Sequence, residues 1–124
     1  MASSPAFAAT PKNGSVVIST ANTNRDGTGT LGTLHPAGAL GARIDKVRIQ
    51  ALGTTTAGMI RFFIGTTLIL EVPVIGVTAA ATSPVWGADV IWDGGLVLQA
   101  SNVLKVSTNN AESFALNIIN GGDI

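Results

Sequence analysis

Three glycines form the first pattern in this sequence with a possible chemical role. Gly27, Gly29 and Gly32 match the G-x-G-x-x-G fingerprint, which holds the pyrophosphate of a dinucleotide when a strand precedes it and a helix follows it. The next residues, 33–41, include Pro36 and two more glycines and lack a helical apolar periodicity. The sequence therefore predicts no nucleotide cofactor.

The same stretch imitates the beginning of an EF-hand calcium loop, in which oxygen ligands alternate along the chain. Asn22, Asn24 and Asp26 supply such an alternation. The twelfth position of the loop is Thr33 instead of a bidentate Glu, and Asp26 is the only carboxylate of the loop. We therefore favour a turn in which these side chains bond the backbone, and we predict no bound metal. A weak cation site in an interface is the alternative.

Acid–base and nucleophilic catalysis have few candidate residues. His35 is the only histidine, and it lies between Leu34 and Pro36, a context typical of a loop. A catalytic triad needs an imidazole that a carboxylate orients toward a nucleophile, and a histidine metal site needs several imidazoles. We therefore expect His35 to face solvent or an interface. The sequence predicts a protein that is not an enzyme and has no catalytic residues.

A second group of side chains combines acids with indole rings. Asp89 and Asp93 lie on either side of Trp92, and Trp86 is close in sequence. Paired carboxylates hydrolyse glycosides in many enzymes, and an indole ring offers a flat apolar surface for a sugar. In small β proteins, however, tryptophans more often fill the core or anchor an interface. We take both tryptophans as interface candidates and keep carbohydrate binding as an alternative.

Charged residues are scarce in this sequence. They make up 11% of its 124 residues, whereas 46% are hydrophobic; about 25% charged residues is usual for a soluble domain. No apolar run reaches the roughly 20 residues of a membrane-spanning helix, so we expect other protein chains to cover the apolar surface, as in an obligate oligomer. A monomer covered by Thr and Asn is the alternative. The length suits one domain.

The balance of charges and the lack of cysteine limit the partners. Seven Lys and Arg offset seven Asp and Glu, so no long-range field attracts nucleic acid or acidic lipid. We predict neither nucleic-acid nor membrane binding. Without cysteine the chain forms no disulfide, which fits folding in a reducing cytoplasm. The first ten residues lack the pattern of a secretory signal.

The elements that must position these residues are strands. Short β-branched runs alternate with clusters of Gly, Thr, Asn and Pro, as in a sandwich or barrel. We predict an all-β fold, a single antiparallel β-sandwich of about eight short strands that is jelly-roll-like. Another sandwich topology is the alternative, since one sequence does not give the strand order. The predicted strands are 15–20, 43–52, 59–64, 68–74, 88–92, 96–100, 103–108 and 113–119. Residues 13–124 form this domain, and residues 1–12, rich in Ala, Ser and Pro, form an extended or disordered arm.

Side-chain alternation assigns faces to these strands. In 59–64, Ile60 and Phe62 point inward, so Phe63 points outward and becomes an interface candidate. In 43–52 the apolar positions change parity after Ile44, which predicts a β-bulge. The glycine-containing segments are predicted to be hairpin connections, because Gly tolerates the positive φ of tight turns; these segments are 53–58, 65–67 and 93–95.

Several segments resemble small structural proteins of tailed bacteriophages. The similar stretches are TANTNRDGTGT (20–30), GARIDKV (41–47), TTTAGMIR (54–61), NNAESF (109–114) and GGD (121–123). Residues 73–92 show the least similarity. The resemblance implies a virion component, above all a capsid decoration or cement protein, and transfers no catalytic residue.

Residues and resemblance together predict a non-enzymatic virion structural protein that binds and stabilises the head shell. We expect a homo-oligomer, a trimer, that contacts the major capsid protein and is located in the virion after assembly in the host cytoplasm. The alternative is a receptor- or carbohydrate-binding module of a phage tail or fibre. The candidate interface residues are Phe7, His35, Phe63, Trp86 and Trp92.

Overall fold

The structure, a computed structural model, describes residues 8–124. This part of the chain forms nine strands and no helix. The strands are β1 (Thr10–Pro11), β2 (Ser15–Ile18), β3 (Gly32–Pro36), β4 (Ala42–Ala51), β5 (Gly58–Ile64), β6 (Thr67–Val74), β7 (Gly87–Leu98), β8 (Val103–Thr108) and β9 (Phe114–Asp123).

The strands form two antiparallel sheets that pack face to face. The first sheet has the order β1-β9-β4-β7, with β2 also paired to β9, and the second has the order β3-β8-β5-β6. From β2 onward the chain changes sheet at every connection except the β5–β6 hairpin, so strands distant in sequence become neighbours. This is the order of a jelly roll, and the predicted sandwich is confirmed.

The core lies between the inner faces of the two sheets. Alternate residues of β4 and β9, among them Ile49 and Leu116, are fully buried there. Two edge-to-face ring pairs extend the packing, Trp86 with Phe114 at 5.9 Å and Phe62 with Trp92 at 5.8 Å between centroids. Each fully buried aliphatic or aromatic side chain contributes about 1.5–3 kcal/mol, so this core dominates the stability of the fold.

The bulge predicted from the parity change in β4 is confirmed. The register shifts between Ile44 and Lys46 against both neighbouring strands. On the β7 side, the partner of Ile44 is Leu96 and the partner of Lys46 is Ile91. Four residues of β7, 92–95, therefore form a bulge opposite Asp45. Regular pairing of β7 with β4 continues before and after this bulge.

This bulge corrects one of the predicted hairpins. Residues 93–95 do not join two strands, because the segments before and after them both pair with β4. Gly94 and Gly95, at φ 79° and 86°, form the bulge within β7. The 53–58 prediction is also wrong, since that segment crosses from the first sheet to the second. The 65–67 hairpin is confirmed between β5 and β6.

The sequence analysis did not predict β1 and β3. Both strands are short and poor in alternating apolar residues. β3 contains Gly32 and Pro36, which are unfavourable for strand interiors, and it pairs with β8 at the edge of the second sheet. β1 pairs with Gly122 and Asp123 of β9. The described part of the predicted arm is thus attached to the domain, while Phe7 lies outside the described residues.

Candidate interaction surface

The outer faces of the two sheets differ because one of them is covered. Residues 19–31, which we call the strap, leave β2 and cross the outer side of the second sheet before β3 begins. The Asn22 amide donates to the Thr108 carbonyl of β8 at 2.8 Å. Farther along, a Cβ built on Gly27 would lie 2.4 Å from the carbonyl oxygen of Thr66 in the β5–β6 turn. The strap therefore covers this outer face, which we call the covered face.

The strap is folded by the polar side chains that imitate a calcium loop. The Asn22 side chain, only 5% exposed, donates to the carbonyls of Thr28 and Thr30 and accepts from the Asn24 amide. Asp26 accepts from the hydroxyl and then from the amide of Thr28, and these bonds lower the pKa of its carboxyl. The predicted side-chain-to-backbone turn is confirmed, because Oδ1 of Asn22 accepts from the Asn24 amide and Oδ1 of Asp26 accepts from the Thr28 amide.

The glycines of the nucleotide fingerprint serve the same strap. Gly27 and Gly29 adopt φ values of 83° and 82°, a region in which only Gly is comfortable. A Cβ on Gly29 would lie 2.8 Å from the Asn22 side chain. Strap residues and β3 follow these glycines instead of a helix, so the motif makes a close turn in this chain.

A buried arginine ties the strap to the covered face. Arg61 of β5 is 3% exposed and donates to the Asn22 carbonyl at 3.3 Å and to the Asn109 side chain at 3.2 Å. Its Nε lies 2.7 Å from Oε2 of Glu71, and Nε of Arg25 in the strap lies 2.7 Å from the same oxygen. Hydrogen bonds from Arg25 and then Arg61 lower the pKa of the Glu71 carboxyl.

The covered face corrects the prediction for Phe63. Its side chain alternates with Phe62 and therefore lies on the side of Arg61, as expected, but its exposure is 0%. It is outside the core cluster between the sheets. Because the strap crosses this outer face, Phe63 is buried within the chain and is not an interface residue.

His35 is also buried, at 2% exposure, which corrects its predicted solvent or interface role. Its Nε2 lies 2.9 Å from Oδ1 of Asp123, which also accepts from the Gly38 amide, and the other oxygen of Asp123 lies 2.7 Å from Nζ of Lys12. The bond from Lys12, followed by those from His35 and Gly38, lowers the pKa of Asp123 to about 2. This cluster links β3 of the second sheet to β9 of the first.

The tryptophans separate into one core residue and one surface residue. Trp86 is 8% exposed and packs on Phe114 inside the sandwich, so its predicted interface role is wrong. Trp92 packs its ring against Phe62 and remains partly accessible. Of the five predicted interface residues, Trp92 is the one that the described structure places at the surface.

Among residues 8–124, no segment crosses the outer face of the first sheet in this way, and we call it the open face. Its charges form ion pairs along β4 and β7. Arg48 lies 3.3 Å and Lys46 3.7 Å from the carboxylate of Asp89, and Nε of Arg43 lies 3.2 Å from Asp45. Positive and negative groups thus neutralise one another on this face.

Exposed aliphatic side chains accompany these ion pairs. Four large residues at outward positions of the first sheet are more than half exposed: Val17, Ile91, Val97 and Ile119. Sequence reasoning missed them. The sequence contained a signal for Ile91. It lies between two other apolar residues, Val90 and Trp92, so side-chain alternation places it on the opposite, outer face. The corresponding signal for Arg61 was a charge between Ile60 and Phe62.

A groove of about 530 Å³ opens on this face beside the β7 bulge. Trp92, Asp93 and Asn120 line it, next to the Arg43–Asp45 pair, so an indole-, a carboxylate- and an amide-bearing residue border the groove. Such a mixture can bond a polar, uncharged ligand or the surface of another protein. Within residues 8–124, no three His, Cys, Asp or Glu side chains are grouped to hold a metal ion.

Comparisons with protein-family models, curated proteins and solved structures return no match for this chain. Within the described residues, no helix is long and apolar enough to cross a membrane. The surface itself is therefore the basis for a functional proposal.

Proposed function

We propose that the protein is a non-enzymatic virion structural protein, a capsid decoration or cement protein that binds the major capsid protein and stabilises the head shell. The observation that supports this proposal most is the open face, which combines exposed aliphatic side chains with charges that are paired along β4 and β7. Interfaces of permanent assemblies have an apolar core that is depleted in charged residues, and a polar rim in which paired charges can lie.

The burial of Phe63, His35 and Trp86 concentrates the proposal on the open face. Ile91 is 64% exposed and Val97 61% exposed, and both lie on β7 at an edge of the first sheet. Removing such side chains from water favours association by about 25 cal/mol for each Å² of apolar area. Neighbouring ion pairs are already satisfied, so a partner need not supply a countercharge for each of them.

Fold and sequence resemblance add independent support. Jelly-roll sandwiches occur in viral capsid proteins and in lectins, although a fold alone does not assign a function. The stretch 20–30, which carries the resemblance to phage structural proteins, forms most of the strap. The strap occupies one outer face of the sandwich and leaves the other face for contact with a partner. A protein that bridges capsomers needs such a contact surface. We propose a homo-oligomer, a trimer, located in the virion after assembly in the host cytoplasm.

Light scattering on the purified protein, followed by sedimentation with capsids that lack it, tests this proposal. We expect a stable oligomer that co-sediments with the capsids. Ile91→Asp should weaken co-sedimentation because it places a charge in the proposed contact. Leu40→Asp is the matched control, since Leu40 is 77% exposed but lies in the β3–β4 connection. A monomer that stays in the supernatant would contradict the proposal.

The groove favours a second candidate function, a receptor- or carbohydrate-binding module of a phage tail or fibre. Trp92 is partly accessible and lines the groove, and the side chains of Asp93 and Asn120 are of the kinds that bond hydroxyl groups. A glycan array should then show binding that Asp93→Ala abolishes while the fold is kept. Asp93 is the better variant because Trp92 also packs on Phe62 in the core. Absence of binding to every glycan would count against this function.

A further inference from the structure

The N-terminal end of the described chain borders the groove on the open face. Ala8 lines this groove together with residues of β4, β7 and β9, among them Ile91 and Asn120. β1 begins two residues later, and its pairing with the end of β9 fixes the chain at the edge of the first sheet. Residues 1–7 therefore precede a residue that already lies against the open face.

The length of residues 1–7 is sufficient to span the groove. Consecutive Cα atoms are about 3.8 Å apart, so Phe7 is the first residue of this segment that the groove can hold. Neighbouring strands of a sheet lie about 4.8 Å apart, which places β7 about 14 Å from β1 across β9 and β4. Seven extended residues cover up to about 25 Å. The segment can therefore extend from Ala8 to the β7 edge of the open face.

The side chains of this segment suit the groove chemically. Residues 1–7, MASSPAF, contain no acidic or basic side chain and one aromatic ring, that of Phe7. The charges of β4 beside the groove are already paired, so the groove demands no countercharge for them from its occupant. Ile91 is 64% exposed and Trp92 is partly accessible. A phenyl ring that packs on them removes apolar surface from water and adds a ring–ring contact.

We propose that the groove is the docking site of the chain's own N-terminal segment, residues 1–7, with the Phe7 ring packed on Ile91 and Trp92. The chain's own segment is favoured over that of a second copy, because its attachment through Ala8 gives an effective concentration on the order of millimolar. A docked segment occupies part of the open face and competes with a capsid surface or a glycan for the groove. The docking is intramolecular and does not rest on the proposed virion function.

Nuclear Overhauser effects in the isolated full chain test this contact directly. We expect them between the ring protons of Phe7 and both the methyl groups of Ile91 and the indole of Trp92. A mixed sample of isotope-labelled and unlabelled protein identifies the source of the segment, because its isotope-filtered spectrum contains only contacts between copies. Absence of these effects, or their appearance only between copies, would overturn the proposal.

Quenching of tryptophan fluorescence by acrylamide gives a second test, because Trp86 is buried and Trp92 is partly accessible. Phe7→Ser should raise the quenching constant by uncovering the indole of Trp92, whereas Phe7→Leu keeps an apolar side chain and should raise it less.

Leu40→Ser is the matched control for this measurement. Leu40 is 77% exposed in the β3–β4 connection, and its substitution should leave the quenching constant unchanged. If Phe7→Ser is quenched like the parent chain, the segment does not cover Trp92 and the proposal is wrong. Neither test uses capsids, so both are independent of the co-sedimentation experiment.

Discussion

The covered and open faces place the same kind of residue in opposite environments. Arg61 and Arg48 both point outward from their sheets, yet the side chain of Arg61 is 3% exposed and that of Arg48 is 39% exposed. The difference is the strap, which converts one outer face into a second, polar interior. An outward position in a strand is therefore a surface position only if no other segment crosses it.

The energetic consequences of the two ion pairs should differ accordingly. A guanidinium that has lost its water must be bonded within the protein, so the removal of a partner leaves other groups unsatisfied. An ion pair in solvent contributes little to the free energy of unfolding, because water and salt screen it. Four predictions test this contrast, beginning with the largest effect.

Arg61→Ala should lower the free energy of unfolding by about 3 kcal/mol. The substitution leaves the Asn22 carbonyl and the Asn109 side chain without their donor and opens a cavity under the strap. Urea denaturation checks the value. A loss no greater than that of Arg48→Ala would show that the covered face is not a true interior.

Gly27→Ala should cost about 2 kcal/mol, because it combines positive-φ strain with a Cβ placed 2.4 Å from the Thr66 carbonyl. Gly94→Ala on the open face is the matched control. Its φ of 79° is nearly the same, but no atom lies within 4 Å of the added carbon. We expect about 1 kcal/mol there, and equal losses in thermal denaturation would argue against close contact of the strap.

Acid should weaken the link between the two sheets at Asp123. Its folded pKa, about 2, lies below the ordinary 3.8, so its contribution is complete above pH 3.8 and disappears as pH falls toward 2. At neutral pH, Asp123→Asn should cost about 1.5 kcal/mol. Urea midpoints of both proteins should converge on acidification; a constant difference down to pH 2 would disprove the role of the charge.

Arg48→Ala should have the smallest effect, about 0.5 kcal/mol or less. Its bond to Asp89 is exposed, and Lys46 remains beside the same carboxylate. The small loss should shrink further when salt is added, because screening weakens exposed pairs. A salt-independent loss above about 2 kcal/mol would mean that the open face is covered in solution, as an oligomeric contact would do.

Local patterns determined much of the fold from the sequence alone. The parity change after Ile44 predicts the bulge because side chains alternate strictly along a strand. The Gly65 turn predicts the β5–β6 hairpin because its strands are adjacent in the chain. The segment 93–95 has a similar glycine signal and yet forms a bulge, since its outcome depends on the pairing of both flanks with the distant strand β4.

What only the tertiary structure decided is which outward residues stay at the surface. Alternation places both Phe63 and Ile91 outside their sheets, but the strap covers the face of Phe63 and leaves Ile91 64% exposed. The position of the strap depends on contacts such as that of Asn22 with Arg61, which are 39 residues apart. The local sequence pattern shows which side chains share a face of a strand. Whether that face is buried depends on segments from elsewhere in the chain that pack on it.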